Sequence, residues 1–282
     1  MNQLTLSERL LYCTVKIDST LNSGNTSTGT GFRYNFFINS NNVVPVLVTN
    51  KHVILDSKVG TLRFHKRDKN GILLKKIFYE MHIEDFENAW IMHPDSNIDL
   101  CVLPLAEIFQ EAQCQDHSIW SVSIDETLIP DKCQLEDLMP LEDIIMVGYP
   151  DGIWDSVNNL PIFRRGITAT PPNIQYNGND EFLIDCAVFP GSSGSPIFLY
   201  NQGMYYTKKG THIGSSRVFL LGIVRATFLH TANGQIIIEN IPTQNISTAE
   251  TSIPNNLGLV IRSQKIKDFE PILTSRLKSK NN

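Results

Sequence analysis

The segment Asp185-Cys-Ala-Val-Phe-Pro-Gly-Ser-Ser-Gly-Ser-Pro196 decides how the rest of the sequence is interpreted. Apolar runs flank it, Phe182–Ile184 before and Ile197–Tyr200 after, which predicts a tight turn between two strands. Glycines on both sides of the central serines permit unusual backbone angles and keep bulk away from an exposed hydroxyl. The turn can also aim successive backbone N–H groups at one spot, as an acyl-transfer nucleophile requires. A Gly/Ser/Pro turn without a catalytic role has the same composition, so this segment alone favours neither interpretation.

Composition excludes several classes of protein. The chain has 282 residues, 41% of them hydrophobic, and a formal net charge of −5, which fits a globular protein with a real core. It has no basic stripe of the kind that nucleic-acid binding needs, so we expect no nucleic-acid partner. The basic segment Lys66–Lys76 is broken by Asn70-Gly71, a hairpin signal, and is interpreted as a solvated turn.

The N-terminus and the cysteines predict a cytoplasmic protein. The first residues lack the basic start and apolar core of a secretory signal, and no apolar run approaches the ~18 residues of a membrane span. We therefore expect no membrane association. The cysteines are odd in number and scattered, without a CxxC pair, which disfavours a disulfide framework and a zinc site and predicts no metal or cofactor. Three of them, Cys13, Cys101 and Cys186, stand in apolar contexts typical of small core residues, unlike Cys114 and Cys133.

Most of the sequence is typical of short strands separated by turns, which predicts an all-β fold. Two β units are expected, at residues 1–110 and 140–262, with a connecting segment at 111–139 and a C-terminal helix at 263–282. Within that helix Pro271 is expected to interrupt the helical spacing. Strands are predicted at Tyr12–Ile17, Gly31–Ile38, Val43–Thr49, Gly60–Lys66, Ile72–Met81, Asp99–Leu105, Asp143–Val147, Pro161–Ala169, Glu181–Val188, Pro196–Tyr200, Val218–Ala226, Gln235–Glu239 and Gly258–Arg262. Short helices are predicted at Ser7–Leu11 and Leu105–Ala112, a turn at Asn233-Gly234, and surface loops at Asn201–Ser216 and Ile241–Asn256.

A nucleophilic serine needs a histidine base and an acid that fixes the imidazole tautomer. His52 follows the buried-type strand Val43–Thr49, so it is rigidly placed where that strand ends. Asp99 opens an apolar run, and a carboxylate there is costly unless it is paired. Each residue also has an interpretation without catalysis. His52 can be a histidine whose ring is hydrogen-bonded to backbone groups, and Asp99 can be an exposed loop aspartate. Asp95 and Asp185 are weaker candidates for the acid.

Together these segments resemble the trypsin/chymotrypsin-like serine proteases, most closely the bacterial HtrA-like branch. The three main motifs occur in the order His, Asp, Ser, 47 and 94 residues apart (99−52; 193−99). The resemblance covers roughly residues 12–270. Its motifs are Thr49-Asn-Lys-His52-Val, Asp99-Leu-Cys-Val-Leu-Pro-Leu105 and Asp185–Pro196, with lesser matches at Gly29-Thr-Gly-Phe32, Val147-Gly-Tyr-Pro150, Arg165-Gly-Ile-Thr168, Leu221-Gly-Ile-Val224 and Gly258-Leu-Val-Ile-Arg-Ser263.

The resemblance implies two six-stranded Greek-key β-barrels and a serine endopeptidase. It identifies Ser193, rather than Ser192 or Ser195, as the nucleophile, His52 as the base and Asp99 as the orienting acid. The N–H groups of Gly191 and Ser193 would form the oxyanion hole. The implied substrate-binding residues are Ala187, Val188, Arg225, Ala226 and Thr227; no acid lies at the pocket base, so a small or medium apolar residue is expected there rather than Arg or Lys.

The sequence also departs from the family pattern. Ser192 replaces the aspartate that pairs with a freshly cut N-terminus, so activation by cleavage is not expected, and a ligand or partner could instead order the loop. Arg225-Ala-Thr227 replaces the usual segment at the substrate edge. The residues after Ser263 are too few for a PDZ-like domain. We therefore expect a regulated bacterial protease with a protein or peptide substrate and a regulatory protein partner, such as an effector in stress or antiphage defence.

Two alternatives stay open at this point. The first is a catalytically silent trypsin-like fold that acts as a protein-binding module. The second is an esterase, although its Gly-x-Ser-x-Gly elbow requires a helix after the serine, where a strand is predicted here.

Overall fold

Antiparallel strands make up most of the chain in this computed structural model, which describes residues 4–38, 42–115, 117–236 and 247–280. The strands are β1 Thr14–Leu21, β2 Thr26–Ile38, β3 Asn42–Thr49, β4 Ser57–Arg67, β5 Leu73–Glu84, β6 Ile91–Met92, β7 Cys101–Pro104, β8 Ile119–Trp120, β9 Ile124–Asp125, β10 Asp143–Gly148, β11 Ile162–Thr168, β12 Glu181–Asp185, β13 Pro196–Asn201, β14 Met204–Thr207, β15 Gly210–Ile213, β16 Arg217–Ile236 and β17 Ser247–Arg262. The helices are α1 Leu6–Leu11, α2 Lys51–Ile54, α3 Ala106–Cys114, α4 Lys132–Glu136 and α5 Glu270–Lys280, with 3₁₀ turns at Phe86–Ala89, Glu126–Leu128, Pro150–Gly152 and Ser263–Phe269. None of the helices in these ranges is long and apolar enough to cross a membrane.

The N-terminal half is a nine-stranded sheet in the order β5-β4-β1-β2-β3-β7-β6, with β8 added to β4 and β9 to β2. Its central strand β3 is covered on both faces, which explains its unbroken apolar sequence. Val46 and Val48 face one core cluster, whereas Leu47 faces the other. The end of β3, at Thr49, is therefore held firmly where the next residues lead into α2.

The C-terminal half is a closed six-stranded barrel in the order β10-β11-β12-β17-β16-β13. Its interior is filled by alternating apolar residues of the strands, among them Met146, Phe182, Ile197 and Val260, which are at most 2% exposed. The segment between β12 and β13 carries the serine-rich turn. Because both strands belong to the barrel, the turn is anchored at each end.

One core cluster joins the two halves. It runs from Phe32 and Val48 in the N-terminal sheet through Val147 and Phe198 of the barrel to Phe269 near the C-terminus. Shared apolar burial of this kind holds the two halves against each other. The predicted C-terminal helix is confirmed, and Ile266, Phe269 and Leu273 of this segment are all buried.

The all-β, chymotrypsin-like prediction is confirmed, and the differences lie in individual elements. The N-terminal sheet has three strands more than a six-stranded barrel, because β8 and β9 from the connecting segment 111–139 and the short β6 join it. The region 201–216 holds the β14–β15 hairpin rather than a loop. Pro271 lies in the first turn of α5, where its missing N–H costs no helical hydrogen bond, so it does not interrupt the helix.

The long hairpin β16–β17 overturns one predicted turn. Asn233 and Gly234 lie inside β16 and pair with Glu250 and Ala249 of β17, so the dipeptide makes no turn. Of the predicted loop Ile241–Asn256, residues 247–256 belong to β17 and the first part lies outside the described residues, as does the end of the predicted strand Gln235–Glu239.

Candidate active site

The serine-rich turn is a tight loop whose conformation requires both glycines. Gly191 and Gly194 have φ values of +83° and +85°, in the left-handed region that glycine alone adopts readily. A Cβ at Gly194 would lie 1.9 Å from the Thr30 carbonyl oxygen and 2.4 Å from Thr49 Oγ1. The loop therefore presses directly against strands β2 and β3 of the other half.

Thr30 of β2 connects the N-terminal sheet to this loop. Its N–H donates to the Ser193 carbonyl at 2.9 Å, and its hydroxyl donates to the Gly191 carbonyl at 2.9 Å. The same hydroxyl accepts the Tyr149 N–H at 3.1 Å. Because Thr30 is fully buried, these bonds are shielded from water and fix the loop between β2 and the start of the 150–152 turn.

The peptide planes of the loop alternate in direction. The Pro190 carbonyl accepts the Asp151 N–H at 2.5 Å, and the Ser192 carbonyl accepts the Ser195 N–H at 3.0 Å. In a trans peptide the N–H points opposite to the carbonyl, so the N–H groups of Gly191 and Ser193 point away from those partners. Neither of them donates a hydrogen bond to another group in the described part of the chain. The loop thus presents two unused donors separated by one residue.

Ser192 is completely buried and supports its own loop. Its hydroxyl accepts the Phe189 N–H at 3.3 Å, and its N–H donates to the Phe189 carbonyl at 3.0 Å. The position that lacks the family's aspartate is therefore satisfied locally by a small polar side chain, without a charge that would need a distant partner.

His52 and Asp99 lie together at the ends of β3 and the segment before β7. His52 Nδ1 is 2.6 Å from Asp99 Oδ2, and the His52 backbone N–H donates to Asp99 Oδ1 at 3.1 Å. Buried Asn50 donates to the Asp99 carbonyl at 2.8 Å. The imidazole is about half exposed and the carboxylate is mostly buried. Both carboxylate oxygens are therefore used to hold His52.

Neighbouring residues of β2 bring the two parts of the site together. Gly29 contacts the helix of His52, since a Cβ at Gly29 would lie 2.3 Å from Val53 Cγ1. Thr30, the next residue, holds the Ser193 loop. No hydrogen bond joins the Ser193 hydroxyl to His52 within the described residues, and such bonds are often long in proteins without substrate.

The weaker candidates for the acid lie elsewhere. The Asp95 carboxylate accepts the Asn97 N–H within its own turn, and Asp185 is exposed at the end of β12. Cys186, the next residue, is no rival nucleophile, because burial raises the pKa of its thiol to about 11.

The residues expected to line a specificity pocket come from β16 and from the segment that follows β12. Val188 is buried against Gly258 of β17, where a Cβ would lie 2.8 Å from Val188 Cγ2. The Thr227 hydroxyl donates to the Leu257 carbonyl at 3.1 Å and so bridges β16 and β17. Ala187 and Ala226 are partly exposed. Each of these four side chains is small or apolar.

A family model of the trypsin-like peptidase domain matches residues 29–204, more than half of the chain. The chain belongs to the trypsin-like peptidases. This peptidase is also similar to the Rv3671c protease of M. tuberculosis in its active form, with 15% identity, a TM-score of 0.44, and coverage of 92% of this chain and 80% of that one. A serine endoprotease from Yersinia pestis is 14% identical, with a TM-score of 0.43 and coverage of 99% and 67%. None of the curated proteins compared with the chain matches it.

Two residues of this trypsin-like peptidase were not singled out by the sequence. Thr30 stands inside the Gly29–Phe32 motif, but its contact with Gly191 spans 161 residues and has no local signal. Glu181 pairs with Arg225, with Arg225 Nε 3.3 Å from Glu181 Oε1. Glu181 did carry a signal, because it is a carboxylate that opens an apolar strand, as Asp99 is.

Replacing Thr30 by valine is expected to slow the peptidase without unfolding it. Valine keeps the shape and the strand preference of threonine, but it leaves the Gly191 carbonyl and the Tyr149 N–H buried without partners, at about 1–3 kcal/mol each. The loop can then leave its present conformation, and we expect kcat to fall about 10- to 100-fold.

Peptide hydrolysis by purified Thr30→Val protein measures this effect, and Thr28→Val is the matched control. Thr28 lies two residues earlier on β2 and its hydroxyl bonds to Asp18, away from the loop. Equal rates for the two variants would contradict a role for Thr30 in holding the loop.

Proposed function

We propose that this trypsin-like peptidase is an active serine endopeptidase in which Ser193, His52 and Asp99 act as nucleophile, base and orienting acid. The hydrogen bond of 2.6 Å between His52 Nδ1 and Asp99 Oδ2 carries the proposal. A carboxylate on Nδ1 favours the tautomer in which Nε2 is free to accept a proton. The contacts of Gly29 and Thr30 support Ser193 as the nucleophile, because they hold the Ser193 loop beside the helix of His52.

In this mechanism Ser193 Oγ attacks the carbonyl carbon of the scissile peptide while His52 Nε2 takes its proton. His52 then gives that proton to the leaving amine, and an acyl-enzyme forms. His52 then takes a proton from water, which attacks the ester, and returns that proton to Ser193 Oγ as the second product leaves. Asp99 stays ionised and stabilises the imidazolium in both steps.

The Gly191 and Ser193 N–H groups would bind the oxyanion of each tetrahedral intermediate. The lack of a hydrogen-bond acceptor for either N–H among the described residues supports this role, and one such donor contributes about 2.7–4 kcal/mol to transition-state stabilisation. The loop bonds to Thr30, Asp151 and Ser192 favour a hole that is formed before substrate binds. These bonds explain how the loop can be ordered with Ser192 at the position of the family's aspartate. A buried local hydrogen bond takes the place of an ion pair to a new N-terminus.

The substrates we propose are proteins or peptides with a small or medium apolar residue at the cleaved bond. Val188, Ala187, Ala226 and Thr227 support this preference by their size and lack of charge. Two exposed thiols, Cys114 and Cys133, favour a reducing compartment, and we propose a bacterial cytoplasmic enzyme whose activity a protein partner restrains, as in a stress or antiphage effector.

Labelling with a fluorophosphonate probe tests the activity. An activated serine attacks the probe as it would attack a peptide carbonyl, and the serine oxygen becomes phosphonylated instead of acylated. We expect folded protein to be labelled and the adduct to be found at residue 193 by peptide mass spectrometry, with heat-denatured protein as the control. A folded protein that is not labelled would instead be the silent binding module, and an adduct at Ser192 or Ser195 would overturn the assignment of the nucleophile.

A further inference from the structure

Arg225 occupies a fixed position next to the serine loop. The register between β16 and β17 shifts between Val224 and Ala226, so Arg225 lies at a bulge. On the other side of β16, the Val224 carbonyl accepts the Gly194 N–H and its N–H donates to the Ser195 carbonyl, both at 2.9 Å. The strand that carries Arg225 is thus tied to the residues that follow the nucleophile.

The Arg225 side chain is turned toward Glu181. Its Nε lies 3.3 Å from Glu181 Oε1, and the exposed fractions of the two side chains are 34% and 9%. A guanidinium keeps its charge at any working pH, and a buried carboxylate needs a partner to keep its own. The pair therefore gives the buried Glu181 carboxylate a partner and holds the Nε side of the Arg225 guanidinium.

Glu181 also lies within electrostatic reach of Asp99. Burial raises the pKa of Glu181, the Arg225 charge lowers it, and the like charge of Asp99 raises it again. Charged groups at this cluster are Arg225 from β16, Glu181 from β12 and Asp99, whose carboxylate binds His52 of α2; Lys51 precedes His52 in the same helix. Lys51 is engaged elsewhere, since its Nζ donates to the carbonyls of Asp95 and Ser96.

The partly exposed Arg225 guanidinium is thus paired with Glu181, and Asp99 is a second carboxylate within electrostatic range of Glu181. Arginine pairs strongly with carboxylates through its planar N–H groups. Both Asp99 oxygens already hold His52, one on the ring and one on the backbone. A guanidinium on Asp99 would compete with His52 for those oxygens and place a positive charge where the imidazolium must form.

We propose that Glu181 holds the Arg225 guanidinium away from Asp99 and thereby keeps the Asp99 carboxylate on His52. Glu181 is a positioning residue, and Arg225 is its partner rather than a substrate ligand. This role rests on the proposed function, because it concerns the efficiency of the same His52–Asp99 pair.

The first test observes the His52–Asp99 hydrogen bond by NMR, in Ser193→Ala protein, so that the result does not depend on activity. The far-downfield proton resonance of the His52 ring N–H reports this bond. Glu181→Gln frees Arg225 to bind Asp99, and we expect the resonance to move upfield or to broaden beyond detection. The double variant Glu181→Gln/Arg225→Gln removes both charges, and the resonance should return.

Glu142→Gln is the matched control for breaking a buried pair. Glu142 pairs with Arg217 at 2.8 Å in the same barrel, with both side chains at most 8% exposed. The Glu142→Gln change should leave the His52 ring N–H resonance unchanged. An unchanged resonance in Glu181→Gln, or the same loss in Glu142→Gln, would overturn the positioning role.

The second test measures the rate of fluorophosphonate labelling with Ser193 present. Glu181→Gln should slow labelling about tenfold or more, because the base loses its alignment, and the double variant should return to within about threefold of the wild type. No recovery in the double variant would assign Arg225 to another role and overturn the proposal. If the wild-type protein is not labelled at all, the proposed peptidase activity fails, while the NMR result still decides whether Glu181 positions the pair.

Discussion

Ser193→Ala protein is expected to lose peptide hydrolysis by about 10⁴-fold or more. Without the hydroxyl no acyl-enzyme can form, and the two free N–H groups of the loop can only polarise a carbonyl for attack by water. The measurement is the rate at which purified protein cleaves a fluorescein-labelled casein, compared with wild-type protein from the same preparation.

The fold should survive this change. The Ser193 hydroxyl has no hydrogen-bond partner among the described residues, so its removal leaves no buried group unsatisfied and the free energy of unfolding should change by about 0.5 kcal/mol at most. Ser195→Ala is the control. The Ser195 hydroxyl is fully buried and also without a partner in the described part of the chain, so its loss should be neutral for stability and for activity. Retained cleavage in Ser193→Ala protein would remove the basis of the proposed mechanism.

The sequence predicted best those parts of the fold whose conformation is determined by residues close to them in the chain. Apolar runs ended by turn residues located most strands, and His52 and Asp99 were found because each stands where such a run ends or begins. The same rule, applied to Glu181, would have marked a third buried ionisable group. Its partner Arg225 could not be inferred, because the pairing of β12 and β16 around β17 is set by closure of the barrel.

Other features depended on contacts between distant segments. The turn at Asn233-Gly234 was predicted from two residues, but pairing along the whole of β16 and β17 outweighs that local preference. Strands β8 and β9 have two residues each, too few for any periodicity, and they pair with the ends of β4 and β2 that extend beyond the pairing with β1. The conformation of the Gly191 loop depends on Thr30, which no pattern within the loop reveals.

Asp99→Asn is expected to lower kcat by about 10⁴-fold at neutral pH while the protein stays folded. Asparagine has nearly the same shape, and its oxygen can still accept the His52 backbone N–H that now bonds Asp99 Oδ1 at 3.1 Å. Its amide NH₂, however, would face His52 Nδ1 as a donor. The ring then carries its proton on Nε2, the atom that must accept the Ser193 proton, and the base is lost.

Asp95→Asn separates this effect from a general loss of charge near His52. The Asp95 carboxylate accepts the Asn97 N–H within its own turn, a bond that an asparagine oxygen can also accept, so its kcat should stay within about threefold of wild type. Kinetics of both variants on the same peptide, with melting temperatures measured alongside, decide the question. Full activity in Asp99→Asn protein would show that the bond between His52 Nδ1 and Asp99 has no catalytic use. The alternative result, loss of activity in Asp95→Asn alone, would move the orienting acid to the turn before Asp99.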